Sequence, residues 1–202
     1  MTSDLTSDLI ALVPTYGLWL IAATTFLSCL ALPVPSSLMM LTAGGFVAAG
    51  DLGLGDTLAA ALGGAVLGDQ AGFALGRSGG ARLLDRIARH PRRAALIGRT
   101  EALMQRRGGF GIFLSRWLFS PLGPWMNFAA GAARLSWRRF TLAGVAGETV
   151  WVALYVGTGA GFAGNLTAAM DLLGSSLGFL AAGAVTLGLG LWLRQALRPP
   201  RG

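Results

Sequence analysis

The sequence predicts an all-α integral membrane protein. It has about four transmembrane helices, two opposed re-entrant hairpins arranged as an inverted repeat, and a basic amphipathic segment at the membrane surface. Three observations carry this. Of 202 residues, 53% are hydrophobic and 12% charged, against roughly 25% charged in a soluble domain. Apolar runs long enough to cross a bilayer alternate with clusters of arginine. Two of the apolar stretches are broken by proline where a straight helix would otherwise run.

The elements follow in order within a single membrane domain, 1–202. Residues 10–32 carry no charge and exceed the roughly 20 residues a crossing needs. Pro14 sits in the first turn, where proline is tolerated. The opening MTSDLTSDL has no basic residue, so it lacks the positive region of a secretory signal and 10–32 is expected to be retained. Pro33-Val34-Pro35 stops that run. Leu38–Ala49 is then too short to cross, and Gly50-Asp51-Leu52-Gly53 turns the chain. Residues 33–50 therefore read as the first re-entrant hairpin. Residues 57–76 form the next span, rich in the Gly and Ala that permit close helix contact, with Asp69 inside it. Residues 77–107 hold nine arginines against Asp85 and Glu101. Apolar residues recur there at helical spacing, the pattern of a cytoplasmic helix lying on the membrane.

Residues 110–132 contain Arg116 and then Pro121-Leu122-Gly123-Pro124. A charge at membrane depth costs on the order of 3 kcal/mol on insertion scales. Irregular backbone at that depth is tolerated only where protein buries it or a polar cavity meets it. Together these predict the second re-entrant hairpin, with Pro35, Pro121, Gly123 and Pro124 as the residues of the breaks. Residues 140–162, holding Glu148, and 172–193 are the last two spans.

All sixteen basic residues are arginine, and the net charge is +7. They cluster in 77–107, 134–139 and 194–201. Placing the three clusters on the cytoplasmic side makes the two hairpins enter from opposite faces, as in inverted-repeat transporters. The C-terminus is then cytoplasmic. The clustering fits topology and anionic headgroups, not nucleic acid. Lone His90 and lone Cys29 leave no His/Cys cluster, so neither a metal nor a disulfide within the chain is expected. No cofactor is expected either. The repeat is faint in the residues themselves. Pro35…Ala43-Gly44 precedes a span with Asp69, and Pro124…Ala130-Gly131 precedes a span with Glu148.

These residues resemble the DedA family, also called the SNARE-associated or VTT-domain family, over about residues 30–165. The matching pieces, in order, are Pro35-Ser36-Ser37-Leu38…Ala43-Gly44, Gly68-Asp69, Gly76-Arg77, Ser115-Arg116-Trp117 with Pro121, Asn127-Phe128-Ala129-Ala130-Gly131, Gly147…Trp151 and Gly161-Phe162-Ala163-Gly164. The resemblance implies two opposed re-entrant helices, a bacterial cytoplasmic membrane and lipid transport. Bacterial members look like translocases returning undecaprenyl phosphate across that membrane. Eukaryotic relatives are similar to phospholipid scramblases, and proton coupling through buried carboxylates is implied for some members. Two departures mark a divergent subgroup. Ser37 stands where the family's Pro-Gly-Glu has its acid, and the second arginine usual in the later hairpin is missing.

The candidate site follows from residue chemistry. Arg116 can hold a phosphate bidentately and stays charged; otherwise it makes a structural salt bridge or snorkels. Asp69 is its counter-ion or a proton carrier, or pairs with Arg77, which otherwise anchors the interface. Glu148 titrates at a cavity or packs as a hydrogen-bonded acid. Asn127 donates to a phosphate oxygen or caps backbone freed at Pro124. Ser36 and Ser37 donate likewise or cap the helix that follows. The six tryptophans read as interfacial or packing residues. The expected function is translocation of an anionic lipid, a polyprenyl phosphate, with its headgroup between the hairpins. Membrane lipids are the partners and protons a possible coupling ion; a homo-oligomer is compatible. A proton-coupled transporter of a small solute and a non-transporting assembly protein stay open. A lipid-phosphate enzyme is disfavoured, because the chain offers no nucleophile–base pair or carboxylate cluster.

Overall fold

In the computed structural model, residues 2–80, 105–162 and 165–196 are described, and among them every regular element is helical. The order is α1 (Thr2–Cys29), α2 (Ser36–Ala49), α3 (Leu54–Leu75, continued by a π-helical turn Gly76–Gly80), α4 (105–117), a 3₁₀ turn (Ser120–Leu122), α5 (Gly123–Ala132), α6 (Trp137–Gly161) and α7 (Leu166–Ala196). Three stretches are long and apolar enough to cross a membrane: Leu54–Gly80, Trp137–Gly161 and Met170–Leu191. Ser36–Ala49 is apolar but shorter. The first expected span corresponds to α1.

Several boundaries differ from the sequence expectation. The helix expected over 10–32 begins at Thr2 and ends at Cys29, so Pro14 lies inside it and not in its first turn. Helix formation follows backbone propensity and does not stop where apolar character does. The span expected to close at Gly76-Arg77 is continued there by a π-helical turn, Gly76–Gly80. Of the amphipathic segment 77–107, residues 81–104 lie outside the described residues. The later break falls at 118–122. Gly123 and Pro124 belong to the first turn of α5, where a missing N–H costs nothing.

Three helices close in the same way. Ala31, Gly50 and Arg134 adopt positive φ. In each case the next N–H reaches back five residues: Leu32 to Leu27, Asp51 to Phe46, Leu135 to Ala130. This pairing satisfies carbonyls left open at a helix end.

The helices pack through glycine. A Cβ on Gly68 would meet the Cys29 Cβ at 2.8 Å, so α1 lies against α3 without side-chain spacing. The two Ala-Gly pairs do corresponding jobs. Gly44 of α2 sits on α6, where a Cβ would lie 2.7 Å from the Ala160 nitrogen; Gly131 of α5 sits on α3, where it would lie 2.7 Å from the Arg77 nitrogen. Each short helix therefore rests on the acid-bearing helix of the opposite half, interlocking the halves. One apolar core joins Ile21, Met40, Ala61, Ala65, Trp151 and Val156; a second joins Phe73, Ile112, Ala130, Leu135 and Phe140. The α7 helix touches the rest mainly through Leu173, beside Leu41 and Tyr155. Large apolar side chains such as Trp19, Leu67, Leu142 and Phe179 stay exposed, as expected of surfaces that face lipid.

Candidate headgroup site

Four polar side chains that the sequence singles out converge at the centre of the protein. Asp69 (α3), Arg116 (α4), Asn127 (α5) and Glu148 (α6) are each no more than 3% exposed. Burial this complete requires partners, because an isolated charge or amide there would be costly.

Arg116 Nη1 lies 3.0 Å from Asp69 Oδ1 and donates to the Gly123 carbonyl at 3.3 Å. Its Nη2 donates to Asn127 Oδ1. Its Nε is 3.5 Å from Glu148 Oε1, close enough for ionic attraction but without a hydrogen bond. The guanidinium also stands 5.8 Å from the Phe140 ring centre, a cation–π distance. Gly123 lies close to this approach: an added Cβ would make an ordinary contact with Nη1 at 3.5 Å and a tight one with the Ser115 carbonyl at 3.2 Å. Gly147 clears the other side: its Cβ would be 2.6 Å from Arg116 Cγ.

Asn127 links the halves. Its amide nitrogen donates to Asp69 Oδ1 at 2.9 Å and to the Cys29 carbonyl at 3.1 Å. That carbonyl is one of the groups opened at the end of α1. Asn127 thus does not cap backbone at Pro124; it stabilises the end of a distant helix and holds the Arg116–Asp69 pair.

Beside this cluster lies a cavity of about 230 Å³. The beginning of α2 supplies Pro35, Ser36 and Ser37, and the break after α4 supplies Ser120. Arg116, Glu148 and Trp151 reach it from α4 and α6. Ser36 and Ser37 therefore stand where a headgroup site was expected, but they do not cap α2. The N-cap is Pro35 without a side-chain bond, and the Ser36 hydroxyl donates to Ser28 Oγ at 2.9 Å. Arg77 does not join the site. It is exposed, donates to the Leu135 carbonyl at 2.9 Å and lies over the Phe73 ring. Asp69 pairs with Arg116 instead.

Two residues of the site were not singled out for function. Trp151 is 5% exposed, lines the cavity, and its indole N–H has no partner. Cys29 lies in the cluster, with its thiol 3.8 Å from Glu148 Oε1. A signal for Cys29 is present in the chain: Phe26-Leu27-Ser28-Cys29 parallels Phe113-Leu114-Ser115-Arg116. The cysteine thus holds in the first half the place that Arg116 holds in the second. One ligand atom each from Cys29, Asp69 and Glu148 lies within 4.8 Å of the others, a Cys–carboxylate grouping that the His/Cys count overlooked. The Arg116 guanidinium stands against both carboxylates and supplies their cation.

A helical membrane protein with a buried Arg–carboxylate cluster joining two interlocked halves is thereby defined. The model of the VTT domain matches residues 34–161, a stretch containing the whole cluster except Cys29. The chain belongs to this VTT-domain, or DedA, family. It is also similar to an uncharacterized membrane protein of Synechocystis sp., with 32% identity over 128 residues, 62% of this chain. The matched region spans 57% of that relative's length. No solved structure matches the chain.

Proposed function

We propose that this protein translocates an anionic lipid, a polyprenyl phosphate such as undecaprenyl phosphate, across the bacterial cytoplasmic membrane. It acts without catalysing a covalent change. The observation that carries this reading is a pair of buried donors that make no hydrogen bond, Arg116 Nε and Trp151 Nε1, on two residues that line one cavity. A headgroup oxygen would satisfy them, assisted by the Ser36 and Ser37 hydroxyls at the positive end of α2. At about 30 Å³ per water, a 230 Å³ cavity accommodates a phosphate but not a polyprenyl chain. The chain would stay in the bilayer.

In this reading α2 and α5, with the broken segments before them, are re-entrant hairpins entering from opposite faces, and the basic clusters and C-terminus are cytoplasmic. Moving the interlocked halves against each other exposes the headgroup first on one side and then on the other. Protons are the coupling ion. Asp69 Oδ2 and Glu148 Oε2 are buried acceptors without a partner, and two carboxylates share one guanidinium, leaving the cluster one positive charge short.

Proteoliposomes carrying undecaprenyl phosphate, or separately a fluorescent phospholipid, test the proposal. The wild type is expected to move the polyprenyl phosphate faster than the phospholipid, and an imposed pH gradient is expected to accelerate that transfer. Asp69→Asn and Glu148→Gln are expected to retain binding but lose the acceleration. Equal movement of both lipids would instead indicate a general scramblase. Movement of neither by folded protein would favour a soluble solute or a structural role.

A further inference from the structure

Away from the central cluster, the beginnings of α4 and α6 enclose a second cleft of about 450 Å³. It is lined by Gln105, Arg106, Arg107, Gly109, Phe110 and Arg139, and among the described residues no acid lines it. The cleft is built by two side chain–backbone bonds. Arg139 donates to the Gln105 carbonyl, and the Gln105 amide donates to the Arg134 carbonyl at 2.7 Å. These bonds fix the two helix ends side by side.

Among the described residues the charge at this cleft is all of one sign. Arg138 and Arg139 lie in the first turn of α6, which holds no acid, and Ser136 makes no side-chain cap bond. Cations at a helix N-terminus oppose its positive end. Arg106 and Arg107 add two more, both exposed. Such an arrangement calls for an anion. Phe110 is 70% exposed, aromatic exposure of the kind found at the membrane–water interface.

We propose that this cleft is a binding site for an anionic phospholipid of the surrounding leaflet. The arginines hold the headgroup phosphate and Phe110 meets the glycerol and upper acyl chain. Guanidinium forks suit a phosphate oxygen pair, and basic pockets at helix ends retain anionic headgroups. The site is independent of the transport reading, since its lining residues and those of the central cavity do not overlap.

Native mass spectrometry of the full-length protein in detergent, with phosphatidylglycerol and phosphatidylcholine of matched acyl chains as probes, tests this site. The wild type is expected to retain phosphatidylglycerol in preference. Arg106→Gln/Arg107→Gln is expected to reduce that retention by about tenfold or more, leaving phosphatidylcholine unchanged. Arg139→Gln, on the opposite wall, is the second variant and is expected to show the same loss. Equal retention of the two lipids by the wild type would overturn the proposal. So would undiminished phosphatidylglycerol in a folded variant. Displacement of the lipid by inorganic phosphate at equal concentration would also overturn it, because the arginines would then be reading a free anion.

Discussion

Arg116→Ala is expected to abolish lipid transfer and to destabilise the protein by about 3–5 kcal/mol, because it strands two buried carboxylates without their cation. Both effects come from one geometry: Arg116 touches Asp69, Asn127 and the Gly123 carbonyl and lies against Glu148. A variant that fails to fold loses transfer trivially, so the informative partner is Arg116→Met/Asp69→Asn/Glu148→Gln. Removing all the charges together avoids the stranded acids, since a buried ion cluster and an apolar replacement of similar volume are often comparable in stability. The triple variant is expected to unfold in detergent near the wild-type midpoint, yet to transfer polyprenyl phosphate about ten- to a hundredfold more slowly, the loss of a charge-assisted hydrogen bond. Arg116→Lys keeps a charge but not the fork that meets several acceptors at once, and is expected to fall between. Wild-type transfer by a folded triple variant would remove Arg116 from the headgroup site.

The second large effect concerns the close contact between α2 and α6. Gly44→Ala is expected to destabilise by about 1–3 kcal/mol through overpacking. The added methyl would lie 2.9 Å from the Gly159 Cα and 2.7 Å from the Ala160 nitrogen, backbone atoms that cannot swing aside. Gly45→Ala provides the matched control. Nothing lies within 4 Å of its added Cβ, so a change of similar helix propensity is expected to leave stability unchanged or slightly raised. Thermal unfolding of the two variants in the same detergent measures the difference. If both behaved alike, the helices would not be in backbone contact at Gly44. Because α2 also carries the cavity residues Ser36 and Ser37, Gly44→Ala is expected to slow transfer as well, by displacing the start of that helix from Arg116.

Much of the architecture was legible because its causes are local. Apolar runs, proline breaks and glycine turns act within a few residues, so the order of elements could be read from 33–50 and 110–132. The polar members of the cluster were legible for a related reason. An arginine, two acids and an asparagine inside apolar segments are costly wherever the chain folds, and each must find a partner. Which partner it finds is not local. Asn127 reaches Asp69 across 58 residues and the Cys29 carbonyl across 98. No spacing rule along one helix specifies such pairs.

The sequence by itself determined the class of the protein, the neighbourhood of its helix breaks and which polar residues inside apolar segments need partners. Only the tertiary structure decided that Asp69 pairs with Arg116 and not Arg77, that Ser36 bonds Ser28 instead of capping α2, and that Asn127 bridges instead of capping. It also brought Cys29 and Trp151, unremarkable as an apolar cysteine and a packing tryptophan, to the cluster and its cavity. The physical reason is that segregation of apolar and polar residues follows from composition along the chain. Pairing depends instead on which helix faces meet, and here small residues such as Gly44 and Gly131 set that by letting each short helix lie on the opposite half.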